Sequence, residues 1–282
     1  MYADLHLHSC YSDGTFTPEE IVRRARRQGL GAIALTDHDT VEGCALAAEK
    51  CAEAGLEFVV GAELTAEHAD RELHLLAYFI DPANQELREE IHQFQAVRQE
   101  RIAKMVALLN ALGVPLRAGD VFALAECRSP GRPHVARALV RCGFCQTLDE
   151  AFERYLKKGR PAWVPKAKRD APSIIQLVHR SGGLVVLAHP GLSKADELIP
   201  ELARAGLDGI ECFHPKHSAP LVQRYLGMAQ QQQLLITGGS DCHGLGKRRP
   251  LIGTVRLERD YFEQLKARAE RQKQARKSAP AA

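Results

Sequence analysis

Near the start of the chain, Asp4-Leu5-His6-Leu7-His8-Ser9 sets two imidazoles two residues apart in a short apolar stretch. A strand's period of two points both rings to one side, an arrangement that invites a metal ion. Asp13, beside Gly14, can fold back and add a carboxylate oxygen. Further residues of the same chemistry recur along the chain: His38 in Thr36-Asp37-His38-Asp39, Glu63, His74, His189 in Ala188-His189-Pro190, and Asp241 with His243 in Gly239-Ser240-Asp241-Cys242-His243. The nine side chains offer nitrogen and carboxylate oxygen, and none needs to offer sulfur, a donor set that suits Zn, Mn or Fe. Nine are too many for one ion and about right for two or three if a carboxylate bridges, and Glu63 is the natural bridge. Neighbouring ions about 3.5 to 4 Å apart acidify a shared water and bind both the attacking and leaving oxygens of a phosphoryl group. The chemistry expected is hydrolysis of a phosphate ester.

Such a set needs a scaffold that converges. Thr17-Pro18-Glu19-Glu20 reads as a helix start, with Thr as N-cap, Pro at N1 and Glu20 returning the cap's hydrogen bond. Residues 31–36 form a continuous apolar run of the kind found in buried parallel strands, and it ends at Asp37-His38-Asp39. A helix over about 41–54 and a strand over 56–60 follow, ending at Gly61-Ala62-Glu63. Leu64-Thr65-Ala66 then pairs with 73–78 across the His68–Arg71 turn, and His74 lies in that second arm. Residues 84–112 carry a long helical pattern, with two or three shorter helices to about Gly159. A helical block of this length between strands is an insertion into a βα array. The array resumes with helices at 172–181, 194–205 and 218–232 alternating with strands at 184–188, 207–212 and 234–237. A last helix over about 258–272 frays into a polar tail expected to be disordered. His6, His8, His38, Glu63, His189, Asp241 and His243 thus stand at or just past the C-terminal ends of predicted strands, which converge on one face of a parallel barrel.

Composition agrees with a globular α/β protein of 282 residues, 45% hydrophobic and 26% charged. No apolar run approaches the roughly eighteen residues of a membrane span, and no basic-then-apolar leader opens the chain, so a cytoplasmic location is expected. Without a secretory signal the eight cysteines are expected to stay reduced. Cys142-Gly143-Phe144-Cys145 lacks a second pair nearby and is read as structural. The formal net charge of +3 argues for no partner, but from Arg154 to Arg169 seven of sixteen residues are Lys or Arg and none is acidic. On a cap over a metal face, that run can hold a second phosphate or a nucleic-acid backbone. Arg132, His134, Lys157 and His217 are the candidate substrate contacts, and Trp163, the only tryptophan, is a candidate base-stacking residue.

The ordered motifs His6-Leu7-His8-Ser9, Thr36-Asp37-His38-Asp39, Glu63, His74, Ala188-His189-Pro190 and Gly239-Ser240-Asp241-Cys242-His243 resemble those of the PHP (polymerase and histidinol phosphatase) family. That resemblance implies a distorted (βα)7 barrel with an inserted helical cap: barrel over 1–80 and 166–262, cap over 81–165, helix end and disordered basic tail over 263–282. It implies two to three divalent ions, Mn²⁺ first and Zn²⁺ or Fe²⁺ as alternatives. One ion would take His6, His8, Glu63 and Asp241; a second Glu63, His74 and His189; a third Asp13, His38 and His243. Asp13, His38, Glu63, Asp241 and His243 would also be the catalytic set. The segments 131–137, Arg154-Tyr155-Leu156 with 159–165, and 211–218 look like the branch of 3′,5′-nucleoside bisphosphate phosphatases and TrpH-type 5′→3′ exoribonucleases. The implied reaction is loss of the 3′-phosphate from a nucleoside 3′,5′-bisphosphate through a metal-bridging hydroxide. A 5′→3′ exoribonuclease on short 5′-phosphorylated RNA, a histidinol-phosphate phosphatase and a non-catalytic, metal-containing nucleic-acid-binding module are the alternatives. The expected partner is a small nucleotide or short RNA, with no membrane and no obligatory protein partner.

Overall fold

The computed structural model describes residues 1–166, 169–246 and 249–278. Strands β1 (Tyr2–Asp4), β2 (Ala32–Leu35), β3 (Glu57–His68), β4 (Arg71–Tyr78), β5 (Leu184–Leu187), β6 (Gly209–Phe213), β7 (Leu235–Gly238) and β8 (Leu257–Glu258) form one sheet in the order β7-β6-β5-β4-β3-β2-β1-β8. β1–β2–β3 and β5–β6–β7 are parallel runs, whereas β4 pairs antiparallel with both β3 and β5. The sheet curls until β7 meets β1. Leu5 donates its amide to Gly238 O at 3.2 Å and His8 to Cys242 O at 3.0 Å, while the two-residue β8 covers the first half of the same β1 edge. Gly239 is required at this seam, because any Cβ there would collide with the backbone and Cβ of His6. The result is a nearly closed, eight-stranded α/β barrel, in keeping with the distorted barrel expected.

Helices α1 (Pro18–Arg27) and α2 (Cys44–Ala54) cover β2 and the first half of β3 through Ile21, Val22, Ala25, Ala47 and Cys51. The predicted capping box at Thr17 and Glu20 is present. On the other side, α7 (Ala171–Arg180), α9 (Ile199–Arg204) and α10 (Ala219–Gln231) cover β3–β6. The helix expected over 194–205 is broken, because Lys194 turns left-handed after the short α8 (Pro190–Ser193) and Pro200 restarts the chain at the first turn of α9. The chain's last helix, α11 (Arg259–Ser278), corrects the sequence reading more substantially. It continues to Ser278 instead of fraying near 272, and Phe262, Leu265 and Ala269 pack with Leu5, Tyr78 and Val186 in the barrel interior. Its apolar face made it part of the barrel; residues 279–282, also expected to be disordered, lie outside the described residues.

Between β4 and α7 stand α3 (Gln85–Ala111), α4 (Ala118–Ala125), α5 (Arg132–Arg141) and α6 (Leu148–Ala151), the last continuing into a π turn over Phe152–Leu156. α3 ties this block to the barrel: Leu87, Ile91 and Phe94 join the barrel's outer core, and Ile102, Met105 and Leu109 join a separate core with Val121, Val135 and Leu139. Cys145 is buried in that second core while Cys142 is exposed at the end of α5. Among the described residues no helix is long and apolar enough to cross a membrane.

Candidate active site

The nine residues singled out in the sequence come together at one end of the barrel. Glu63 is the hub. Its Oε2 lies 3.4 Å from His6 Nε2, 3.2 Å from His8 Nε2 and 3.0 Å from His38 Nδ1, and its Oε1 lies 2.6 Å from His74 Nδ1 and 3.0 Å from His189 Nε2. Asp241 Oδ1 faces His8 Nε2 at 3.4 Å and His243 Nδ1 at 3.3 Å, and Asp13 Oδ1 faces His243 Nε2 at 3.2 Å. Glu63 is not at a strand end as expected. β3 runs uninterrupted through Gly61 to His68, so Glu63 is held mid-strand opposite Leu76, with His38 bridging to it from the end of β2. His74 reaches the same point because β4 runs antiparallel.

This geometry fits metal ions. Among the described residues, Nε2 of His6, Nε2 of His8, Nδ1 of His38, Oε2 of Glu63 and Oδ1 of Asp13 are all buried without a hydrogen-bond partner. Unsatisfied buried polar atoms are costly, and a cation held among them would satisfy them together. Four overlapping groups have ligand atoms within 4.8 Å of one another: His8, Asp13, His38 and His243; His6, His8 and Asp241; His6, Glu63 and His189; His38, Glu63 and His74. Because His6, His8, His38 and Glu63 each belong to two groups, the ions would be neighbours.

The charge balance is that of a site built for cations. The imidazoles around Glu63 overcome burial and hold its carboxyl well below the usual range, and His243 and its neighbours do the same for Asp13 and Asp241. Burial opposes charge on His6 and His8, but Glu211 and Glu63 lift His6 well above its ordinary value. Asp241 and Glu63 raise His8 to about 9. Burial wins at His38, pushed down to about 3, and at His189, also lowered. The backbone is strained here too: Asp39, His189 and Asp241 have φ of 49°, 28° and 48°. Left-handed conformations at non-glycine residues cost roughly 1–3 kcal/mol each and gather at functional sites.

Above the cluster opens a cleft of about 710 Å³, lined by His38, Glu63, His74, His189, Asp241 and His243 together with Arg132, Lys158, Trp163, Lys166 and Lys216 and the carboxylates of Glu67, Asp70 and Glu72. Several predicted substrate contacts are placed differently. Lys157 pairs with Glu153 on the exposed side of the π turn and does not line the cleft; its neighbour Lys158 does. His134 is buried, and its Nδ1 accepts the Gly131 amide at 3.0 Å. His217 is committed to the scaffold: Nδ1 donates to Cys212 O at 2.9 Å and Nε2 accepts the Gly191 amide at 3.3 Å. Of the basic run, Lys168 lies outside the described residues.

Comparison with known proteins agrees with this geometry. The PHP domain model matches residues 4–114. A 5′-3′ exoribonuclease of Haemophilus influenzae is 32% identical over 266 residues, covering 89% of this chain and 96% of its own. The chain belongs to the PHP family. A 3′,5′-nucleoside bisphosphate phosphatase of Chromobacterium violaceum is 33% identical over 253 residues, or 86% of this chain and 88% of its own. A solved structure from Bifidobacterium adolescentis, described as a metal-dependent phosphoesterase, superposes with a TM-score of 0.88 at 34% identity, covering 94% and 96% of the two chains. This PHP protein is accordingly a metal-dependent phosphoesterase, a hydrolase.

Around its site the PHP fold adds residues that the sequence reading did not assign. Glu211, fully buried in β6, accepts from His6 Nδ1 at 2.9 Å and from the His189 amide at 2.8 Å, which turns His6 Nε2 toward Glu63. A carboxylate inside the apolar run 207–212 was the available signal, since a buried charge requires partners. Asp37 accepts the amide and hydroxyl of Ser9 at 2.7 and 2.5 Å and the Ser12 hydroxyl at 2.5 Å, fixing the loop that carries Asp13. Arg98 of α3 is buried and donates Nε to Asp39 Oδ2 at 2.6 Å. It falls in register with Leu87, Ile91, Phe94, Ile102 and Met105, a position whose helical spacing marks an inward-facing charge.

Proposed function

We propose that this phosphoesterase removes the 3′-phosphate from nucleoside 3′,5′-bisphosphates, releasing the 5′-monophosphate and phosphate, and that it works in the cytoplasm with two or three Mn²⁺ ions. The observation that carries this reading is the cleft, whose lining joins the ligand side chains to Arg132, Lys158, Lys166, Lys216 and Trp163. Its 710 Å³ is within the range of small-molecule sites, about 300–1,000 Å³. His6, His8, Asp13, His38, Glu63, His74, His189, Asp241 and His243 would hold the ions, with Glu63 shared. Bound there, divalent ions supply an acidified water and neutralise charge developing on the phosphoryl group.

The chain's own residues place the substrate. Arg132, in the first turn of α5, offers a planar fork for the 5′-phosphate. That helix start lies beside Asp13, where helix-terminal amides also favour an anion. Lys166 Nζ stands 3.0 Å from Glu72 Oε1 and 2.9 Å from His74 Nε2, so it steadies the His74 ring while adding positive charge to the cleft. Trp163 offers a face for the base. His134 supports the Gly131–Arg132 turn from beneath.

The C. violaceum relative supports the bisphosphate. The H. influenzae relative supports a second reading, stepwise 5′→3′ removal of nucleotides from short 5′-phosphorylated RNA. Both reactions break a bond at the 3′-oxygen of a nucleotide whose 5′-phosphate is held. The role of the second phosphate is tested by comparing adenosine 3′,5′-bisphosphate with adenosine 3′-monophosphate. The bisphosphate should have at least tenfold higher kcat/KM, and Arg132→Ala should erase most of that preference through KM. Equal turnover of the two nucleotides would remove the 5′-phosphate from the account.

A further inference from the structure

His214, the first residue after β6, belongs to none of the ligand groups, yet its ring is buried against them. It packs edge-on to His189 with centroids 5.5 Å apart, and tilted against His217 at 5.2 Å. His214 Nδ1 accepts the Lys216 amide at 3.1 Å, so a neutral ring carries its proton on Nε2. Among the described residues that Nε2 is buried with no close hydrogen-bond partner, and it lies 3.5 Å from Asp241 Oδ2. A nitrogen that carries the proton cannot ligate a cation, but it can donate to a carboxylate. Among the described contacts of Asp241, Oδ1 faces His6, His8 and His243, and Oδ2 faces His214.

We infer that His214 is a positioning residue whose Nε2–H holds Asp241 Oδ2, so that Asp241 presents Oδ1 alone to the metal centre. The inference rests on the reading of Asp241 as a ligand. His217, locked between Cys212 O and the Gly191 amide, braces the other side of the His214 ring and keeps it from turning away. Outer partners of metal ligands commonly account for 10–100-fold in metal affinity or activity, and the lone amide contact at Nδ1 makes the two ring nitrogens separable by substitution.

His214→Asn keeps an acceptor near the Nδ1 position for the Lys216 amide and removes the distal donor. His214→Gln reaches the Nε2 position with an amide N–H₂. The experiment measures Mn²⁺ stoichiometry and affinity by calorimetry on both variants and the unsubstituted protein, with metal-free melting to establish that all three fold. The expected result is a 10–100-fold loss of affinity at one or more sites in His214→Asn and recovery to within about threefold in His214→Gln. Unsubstituted affinity in His214→Asn, or equal losses in both folded variants, would overturn the inference while leaving the metal reading intact. If the unsubstituted protein takes up no Mn²⁺, the metal reading fails and this inference with it.

Discussion

Raising the pH should strengthen metal binding far more steeply than the carboxylates alone would allow. In the metal-free protein, Glu211 and Glu63 hold His6 well above its ordinary value, and Asp241 and Glu63 raise His8 to about 9, so at pH 7 both rings carry an extra proton. Each must be displaced when the ring becomes a ligand, and apparent affinity rises tenfold per pH unit for each proton released. His38, pushed down to about 3, and His189, also lowered, are already neutral and add nothing. For the ion held by His6, His8 and Asp241, two protons give on the order of 10³ to 10⁴ in affinity between pH 6.5 and 8.5, the slope easing as pH approaches the His8 value. The sign for the metal-free fold is opposite. His8 is raised above its unfolded value of 6.5, so its stabilisation is complete below pH 6.5 and fades as pH climbs through about 9. Calorimetric titration of Mn²⁺ in buffers of equal pH and different ionisation enthalpy counts the protons, with about two expected at pH 7 for the group His6, His8 and Asp241. Affinity independent of pH, or uptake without proton release, would refute this charge balance.

Other expectations follow from individual contacts. Phe262→Ala, at the base of the barrel, should cost about 3–5 kcal/mol by denaturant unfolding, as for other buried Phe truncations. A near-neutral effect would mean that α11 is not part of the core. Arg98→Met should destabilise the protein by a similar amount, about 3–5 kcal/mol, because it leaves the buried Asp39 carboxylate without its cation. Lys158→Ala should raise KM for a bisphosphate several-fold while Lys157→Ala leaves kinetics within about twofold, reversing the sequence-based assignment. Equal effects of the two would contradict the placement of the π turn.

The ligand set was legible in the sequence because metal chemistry restricts residue types. His6, His8, His38, His74 and His189 stand in short motifs on strands or strand ends, and a barrel can only bring those ends together. The alternation of apolar runs with capped helices marked most elements within a few residues. In the sequence Gly61 reads as a stop and puts Glu63 at a strand end, whereas in the barrel β3 runs on through Gly61, which lies close to Ala77 O. α11 was cut short because its exposed face is so basic that its sparse inward stripe, Phe262, Leu265 and Ala269, carries little signal. The substrate contacts were least legible. Lys157 and Lys158 are equivalent in sequence, and only the π turn decides which one faces the cleft. His217 looked available because a histidine's two hydrogen bonds to distant backbone leave no local trace.

Hydrolysis of a 3′-phosphate by the cluster and the cleft together, under recognition of a 5′-phosphate, is the proposed reaction. It is tested most directly by following phosphate and nucleotide release from adenosine 3′,5′-bisphosphate and from a 5′-phosphorylated RNA tetramer, side by side, with and without Mn²⁺. The expected result is Mn²⁺-dependent release of phosphate from the bisphosphate with much the higher kcat/KM. Stepwise shortening of the tetramer at comparable efficiency would contradict the preference for the bisphosphate and move the enzyme to RNA processing. Failure of Mn²⁺ to support either reaction would contradict the proposed manganese centre.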